Sequence, residues 1–185
     1  MLTRDLTSAE LAVLSLIVER DLHGYEIEVL IQERGMRNWT EIAFSSIYHI
    51  LRVLERELLV SSRIEAAPGK GPARKVFAAT AEGRARYKRE ALRTLSTVVR
   101  PYPPILLGLA ALPGLDPEEA ADGLAAYRRG LAERLHEVQA RNLPGLPDHV
   151  QAMFAHSEAL IRAESEVVAR IEARLRRGPG REGSA

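Results

Sequence analysis

The side chains best suited to chemistry gather in two places. From about residue 45 onward, Ser45, Ser46, His49, Arg52 and Arg56 fall on or near one face, with Tyr48 flanking them. Ile47, Ile50, Leu51, Leu54 and Leu58 recur at helical spacing on the opposite face. Hydroxyls, an imidazole and guanidinium groups on a helix surface suit the major groove of DNA, where Arg reads guanine O6 and N7 and Ser or His bonds bases or phosphates. The start of such a helix also offers free amides to a phosphate. A merely solvated helix face would carry the same residues, so this segment alone leaves both readings open. The second gathering is Lys70, Arg74 and Lys75 around the turn Pro68-Gly69-Lys70-Gly71-Pro72, with Arg63 at its base and Arg84, Arg86, Lys88 and Arg89 beyond it. Small glycines let backbone approach a sugar-phosphate chain closely, and such cations position a protein on DNA without reading sequence.

Other chemistries have weaker support. The chain has no cysteine, which excludes disulfides, thiolate metal sites and thiol nucleophiles. Glu133 and His136 match half of a di-iron motif that needs two copies and further carboxylates. His149 and His156 lie seven apart, too far for one metal without other ligands. No phosphate-binding loop, dinucleotide fingerprint, serine-hydrolase elbow or zinc-protease motif is present. The expectation is a non-enzyme with no metal and no cofactor.

The elements that must position these residues follow from caps and periodicity. Thr7-Ser8-Ala9-Glu10 has the form of a capping box, opening a helix over 8–20. A second helix is predicted over 25–34, closed by Gly35, and a third from about 45 to 59. Residues 60–66 and 75–79 read as a β-hairpin around the Pro/Gly turn. Thr80 caps a fourth helix predicted through residue 99, before Pro101, Pro103 and Pro104. Asp116-Pro117 starts a helix to about residue 140. A last helix of about thirty residues carries Val150, Met153, Leu160, Val167, Ile171 and Leu175 along one seam. The fold class expected is therefore mostly α (α+β): an N-terminal winged helix-turn-helix followed by C-terminal antiparallel helices for dimerisation.

Composition agrees with a soluble globular chain. Of 185 residues, 46% are hydrophobic and 28% charged. Such a length buries roughly 70% of the unfolded surface. No apolar run reaches the ~18 residues of a membrane span. Asp5 and the lack of a small-residue cleavage site argue against a signal peptide, so a cytoplasmic location is expected. The formal net charge of +1 is unevenly spread. Residues 1–62 balance at −4, residues 63–100 at +7 and residues 101–185 at −2. The middle stretch is where a polyanion would bind.

Five motifs together resemble the PadR family of transcriptional regulators. They are Leu22-His23-Gly24-Tyr25-Glu26, Ser45-Ser46-Ile47-Tyr48, Leu54-Glu55-Arg56-Glu57-Leu58-Leu59-Val60, Pro72-Ala73-Arg74-Lys75-Val76-Phe77 and Thr80-Ala81-Glu82-Gly83. The resemblance covers about residues 6–90. It departs where Glu57-Leu58 replaces a glycine-containing helix exit and where Phe77 replaces a common tyrosine. It implies a homodimeric repressor, with Ser45, Ser46, Tyr48, His49 and Arg52 in the major groove of double-stranded DNA, and Lys70, Arg74 and Lys75 on the wing. His23 and Tyr25 are expected to be structural, as a helix start and a packed ring, and Trp39 to be core with Ile42 and Phe44. A two-fold dimer implies a palindromic operator with recognition helices ~34 Å apart. Members of the family are often released from DNA by a small hydrophobic or aromatic effector, which Tyr102, Tyr127, Met153 and Phe154 could line here. The expected division is a DNA-binding domain with its connecting helix over 1–100, a dimerisation and effector region over 101–178, and a disordered tail over 179–185. The alternative is a winged-helix module for protein–protein interaction without specific DNA binding, which salt dependence separates from a DNA binder.

Overall fold

The first helix, α1 (Ser8–Glu19), opens on the capping box that its sequence announces. Thr7 Oγ1 accepts from the Glu10 amide at 3.2 Å, and the Glu10 carboxylate accepts from the Thr7 amide at 2.9 Å. The computed structural model describes residues 4–43, 46–66 and 73–178. The chain divides into two compact units, Met1–Arg100 and Pro101–Ala185.

In the first unit, α1 leads to a two-residue strand β1 (Leu22–His23), then α2 (Gly24–Glu33). Gly35 ends α2 in the left-handed region at φ 58°, and one 3-10 turn, Met36–Asn38, follows. The third helix, α3 (Ile47–Arg56), precedes the strands β2 (Val60–Glu65) and β3 (Arg74–Ala79) and the long helix α4 (Ala81–Ser96). The sheet is antiparallel in the order β1-β3-β2, with Leu22 opposite Phe77 and Arg63 opposite Val76. The two-residue β1 was not foreseen: a strand this short has no periodicity to detect, and it exists because buried Leu22 pairs with Phe77.

One core holds this unit together. Val13, Leu14 and Ile17 of α1 meet Ile27 and Ile31 of α2 and Leu51 and Leu54 of α3, all essentially without solvent contact. Each such side chain contributes about 1.5–3 kcal/mol relative to exposure. α4 packs along α1 and β3, and Gly83 in its first turn lies on Leu59, just before β2. A Cβ at Gly83 would lie 1.9 Å from the Leu59 carbonyl oxygen, so only glycine allows this approach.

Several expectations are corrected. α3 ends at Arg56 rather than residue 59, because Leu58 takes φ 58° and turns the chain into β2. α4 ends at Ser96 rather than residue 99, since Thr97, Val98 and Val99 are β-branched and the valines find no packing there. Tyr25 is not a packed ring but 74% exposed, and Trp39 is not core but 51% exposed. Ile42 is buried as expected, and Phe44 lies outside the described residues. The Pro/Gly turn over 67–72 and the tail over 179–185 also lie outside them.

The second unit comprises a short helix α5 (Ile105–Ala111), a 3-10 turn Leu112–Gly114, and the antiparallel pair α6 (Pro117–Arg141) and α7 (Asp148–Arg177). Asp116 caps α6 by accepting from the amides of Glu118 and Glu119. The buried seam of the pair is Ala120, Ala121, Leu124 and Leu131 against Ile161 and Val168. On α7 this is one residue away from the expected 160–167–171 line, and Leu160, Val167 and Met153 are left exposed. Polar pairs fix the register: Tyr127 donates to Glu164 at 2.8 Å, and Arg176 pairs with Asp122 at 2.9 Å. Burial, reinforced by the bond to Glu164, raises the Tyr127 phenol above its ordinary pKa. Among the described residues no helix is long and apolar enough to cross a membrane.

Candidate nucleic-acid interface

Helix α3 presents its polar face as its periodicity requires. Ile47, Ile50, Leu51, Val53 and Leu54 are buried, while Tyr48, His49, Arg52 and Arg56 are exposed, Tyr48 to 64%. Ser46, at the start of α3, donates its hydroxyl to the Ala43 carbonyl at 2.6 Å and is half-buried. Ser45 and Lys70 lie outside the described residues.

Beside this face runs an open groove of about 750 Å³ between α3, the first turn of α2 and strand β3. Leu51 and Phe77 supply apolar surface, and Tyr25, Tyr48, Arg52, Arg74 and Lys75 supply aromatic and cationic groups. The structure thus brings together Tyr48, Arg52, Arg74 and Lys75, which lie on separate segments of the sequence.

Their electrostatics divide them. Lys75 is held by Glu55 at 2.8 Å and lies 5.1 Å from the centroid of the Phe77 ring. Bonds from Lys75 and Ser62 hold the Glu55 carboxyl below the usual carboxylate range, so this carboxylate stays ionised. The Arg52 and Arg74 guanidinium groups have no ion-pair partner among the described residues. The other acids near the groove are occupied internally. Glu26 accepts from the His23 amide at 2.8 Å and faces Arg20, and Glu28 pairs with Arg37 at 2.8 Å. The groove therefore offers two guanidinium groups without an ion-pair partner among the described residues, beside carboxylates that are themselves paired, a surface that attracts an anion.

Not every basic residue counted in the sequence is available to a ligand. Arg86 is buried, ion-paired to Glu90 at 2.9 Å and hydrogen-bonded to the Arg4 carbonyl. Arg93 also pairs with Glu90, and Arg63 with Asp21 and Glu65. Arg84 donates to the Val18 carbonyl at 2.7 Å. The exposed ring of Tyr25 was missed; its place in the Leu22–Glu26 motif, next to a glycine, was the available signal.

The four residues expected to line an effector pocket do not converge within the single chain. Tyr102 is exposed, Met153 and Phe154 lie in the second turn of α7, and Tyr127 bonds Glu164. Glu164 is ten residues further along α7 than Phe154, about 15 Å at the α-helical rise. Among the described residues no three His, Asp or Glu side chains form a metal-binding cluster.

Comparison with known proteins places this unit. Residues 13–89 match the family model described as the transcriptional regulator PadR-like family. That family consists of transcription regulators, not enzymes. Among solved structures, Bacillus subtilis PadR in complex with operator DNA superposes with a TM-score of 0.73 at 19% identity, covering 90% of this chain and 98% of that one. A PadR-like transcriptional regulator from Bacillus cereus gives 0.67 at 18% identity, covering 92% and 99%. Bacillus subtilis PadR in complex with p-coumaric acid gives 0.67 at 20% identity, covering 90% and 97%. At these identities the likeness establishes a shared fold over nearly the whole length. No curated protein sequence matches the chain.

Proposed function

We propose that the protein is a sequence-specific DNA-binding repressor that acts as a homodimer on a palindromic operator in the cytoplasm. The observation that carries this is the exposed polar face of α3, with Arg52 and Arg74, which have no ion-pair partner among the described residues, bordering one groove in a segment similar to the PadR-like family. In this reading Arg52 reaches a base edge in the major groove, supported by Ser45, Ser46, Tyr48 and His49. Lys70, Arg74 and Lys75 hold the wing on the backbone, with Lys75 exchanging Glu55 for phosphate. The likeness to a PadR bound to operator DNA supports the docking mode.

Dimerisation is supported by α7. Met153, Leu160 and Val167 recur every seven residues on one face and are exposed in the single chain. A second copy would cover that stripe. Release by a small aromatic effector is proposed from the likeness to a PadR holding p-coumaric acid. The site is not assigned to Tyr102, Tyr127, Met153 and Phe154 together, because one protomer does not bring them together.

The test is fluorescence anisotropy with DNA from immediately upstream of the protein's own gene, against a scrambled fragment, across salt. The expected result is preference for the upstream fragment and log K falling with log salt by about 0.9 per phosphate contacted. Salt-insensitive behaviour, or no binding at low salt, would overturn the reading in favour of a protein-interaction module.

A further inference from the structure

The Leu22–Glu26 motif has a role that α2's need for a start does not explain. Gly24 has ordinary helical backbone, so its φ does not require glycine. The space a side chain would take there is occupied by the recognition helix instead. A Cβ at Gly24 would lie 2.9 Å from Cε1 of Tyr48 and 3.5 Å from Cζ and the hydroxyl, because the Tyr48 ring lies over this residue. Tyr25 and Tyr48 line one small recess with Gly24 and are both largely exposed. Two phenols on one rim, bordering the groove of Arg52 and Arg74, form an aromatic edge with polar tips. The nearby acids Glu26 and Glu28 are ion-paired to Arg20 and Arg37, which lessens their repulsion of an anion brought to this rim.

We propose that Tyr25 belongs to the DNA-binding surface, donating its hydroxyl to a backbone phosphate, and that Gly24 is a positioning residue that seats the Tyr48 ring of the recognition helix. The inference rests on the DNA-binding reading above and adds two residues to it. A phenol is a neutral donor, so its loss weakens binding without releasing a counterion. Its signature therefore differs from that of a lost Lys or Arg. Gly24 acts through Tyr48, so its effect vanishes once Tyr48 is gone.

The experiment is anisotropy on the full-length protein with the upstream and scrambled fragments at several salt concentrations. Thermal unfolding accompanies each variant. For Tyr25→Phe the expected result is affinity reduced about three- to tenfold on both fragments, with the salt slope unchanged. Wild-type affinity for Tyr25→Phe would overturn its phosphate contact. For Gly24→Ala the expected result is a melting temperature near wild type, affinity lowered to that of Tyr48→Ala, and a double variant no weaker than Tyr48→Ala alone. Additive losses in the double variant, or unchanged affinity for Gly24→Ala, would overturn the positioning role. Failure of the wild type to bind either fragment with salt dependence would instead remove the DNA-binding reading, and both assignments with it.

Discussion

Leu58 stands where a glycine would be expected. Leu59 donates to Leu54 at 2.9 Å and Leu58 donates to Glu55 at 3.0 Å, the two bonds of a Schellman close to α3. Leu54 and Leu59, which flank the motif, are buried, whereas Leu58 is 73% exposed at φ 58°. A leucine held left-handed costs about 1–2 kcal/mol. Glycine there would remove that strain but lose about 0.5–1 kcal/mol through its freer unfolded state. Little apolar burial is lost because most of the side chain is already in water. Leu58→Gly should therefore stabilise by about 0.5–1 kcal/mol, a rise of roughly 2–8 °C for a unit of this size. The assay is thermal and urea unfolding followed by circular dichroism, with Leu58→Ala as the comparison. Alanine keeps a Cβ, and hence the strain, so it should not be more stable than wild type. If Leu58→Gly is no more stable than Leu58→Ala, backbone strain does not govern this turn and the reasoning fails.

Arg52→Ala should weaken binding to the upstream fragment by about 1–3 kcal/mol and leave scrambled DNA little changed, read by anisotropy. Lys70→Ala and Arg74→Ala should each weaken both fragments and reduce the salt slope by about 0.9. Glu90→Ala, which strips buried Arg86 of its ion-pair partner, should cost about 3–5 kcal/mol in urea unfolding, whereas Arg86→Met with Glu90→Leu should recover most of it. Gly83→Ala should destabilise by about 3 kcal/mol, because the Leu59 carbonyl it strikes is backbone. Burial pushes the Glu10 carboxyl up, but the bonds from Arg4 and Thr7 outweigh this and hold it below its ordinary 4.5. The unfolded chain then takes up the proton first, so Glu10's contribution is complete above 4.5 and lost as pH falls through the lower folded value. Arg4→Met should flatten that acid limb of the stability curve, measured by unfolding between pH 6 and about pH 3.

The fold was legible where a local rule dictates it. The Thr7–Glu10 box, the Gly35 close, the hairpin strands and the Asp116 cap each depend on a few neighbouring residues. The structure differs where tertiary contact decides. Leu54, Glu55 and Arg56 continue a helical pattern into Leu58, and only the demand of β2 that Leu59 and Val60 turn inward stops α3 at Arg56. On α7 the apolar residues occur in adjacent pairs, Leu160-Ile161 and Val167-Val168. Periodicity cannot say which member of each pair faces α6; Ile161 and Val168 do, and the other line is left exposed. Glycines show the same division. A glycine in Thr80-Ala81-Glu82-Gly83 is visible in the sequence, but its reason is the Leu59 carbonyl, twenty-four positions upstream.

For the site, the sequence shows how many charges a segment carries but not how many are free to meet a ligand. Residues 63–100 hold a balance of +7, and Arg74 and Lys75 of the groove come from this segment. Yet Arg63, Lys75, Arg86 and Arg93 of that segment are paired to carboxylates, and these four give Asp21, Glu55 and Glu90 their partners. The neutralisation runs both ways: each internal pair withdraws a cation from the surface and also removes an acid that would repel DNA. The balance of the segment overstates its cations and ignores the silenced acids of residues 1–62, whose −4 suggests a repulsive helix-turn-helix. Arg52 lies within that acidic stretch and Arg74 within the basic one, yet both border one groove without a partner among the described residues. Affinity for a polyanion should therefore follow Arg52 and Arg74 more than Arg63 or Arg86. Arg63 stays in its pairs with Asp21 and Glu65, and the buried charge of Arg86 is spent on holding α4 to the N-terminal segment.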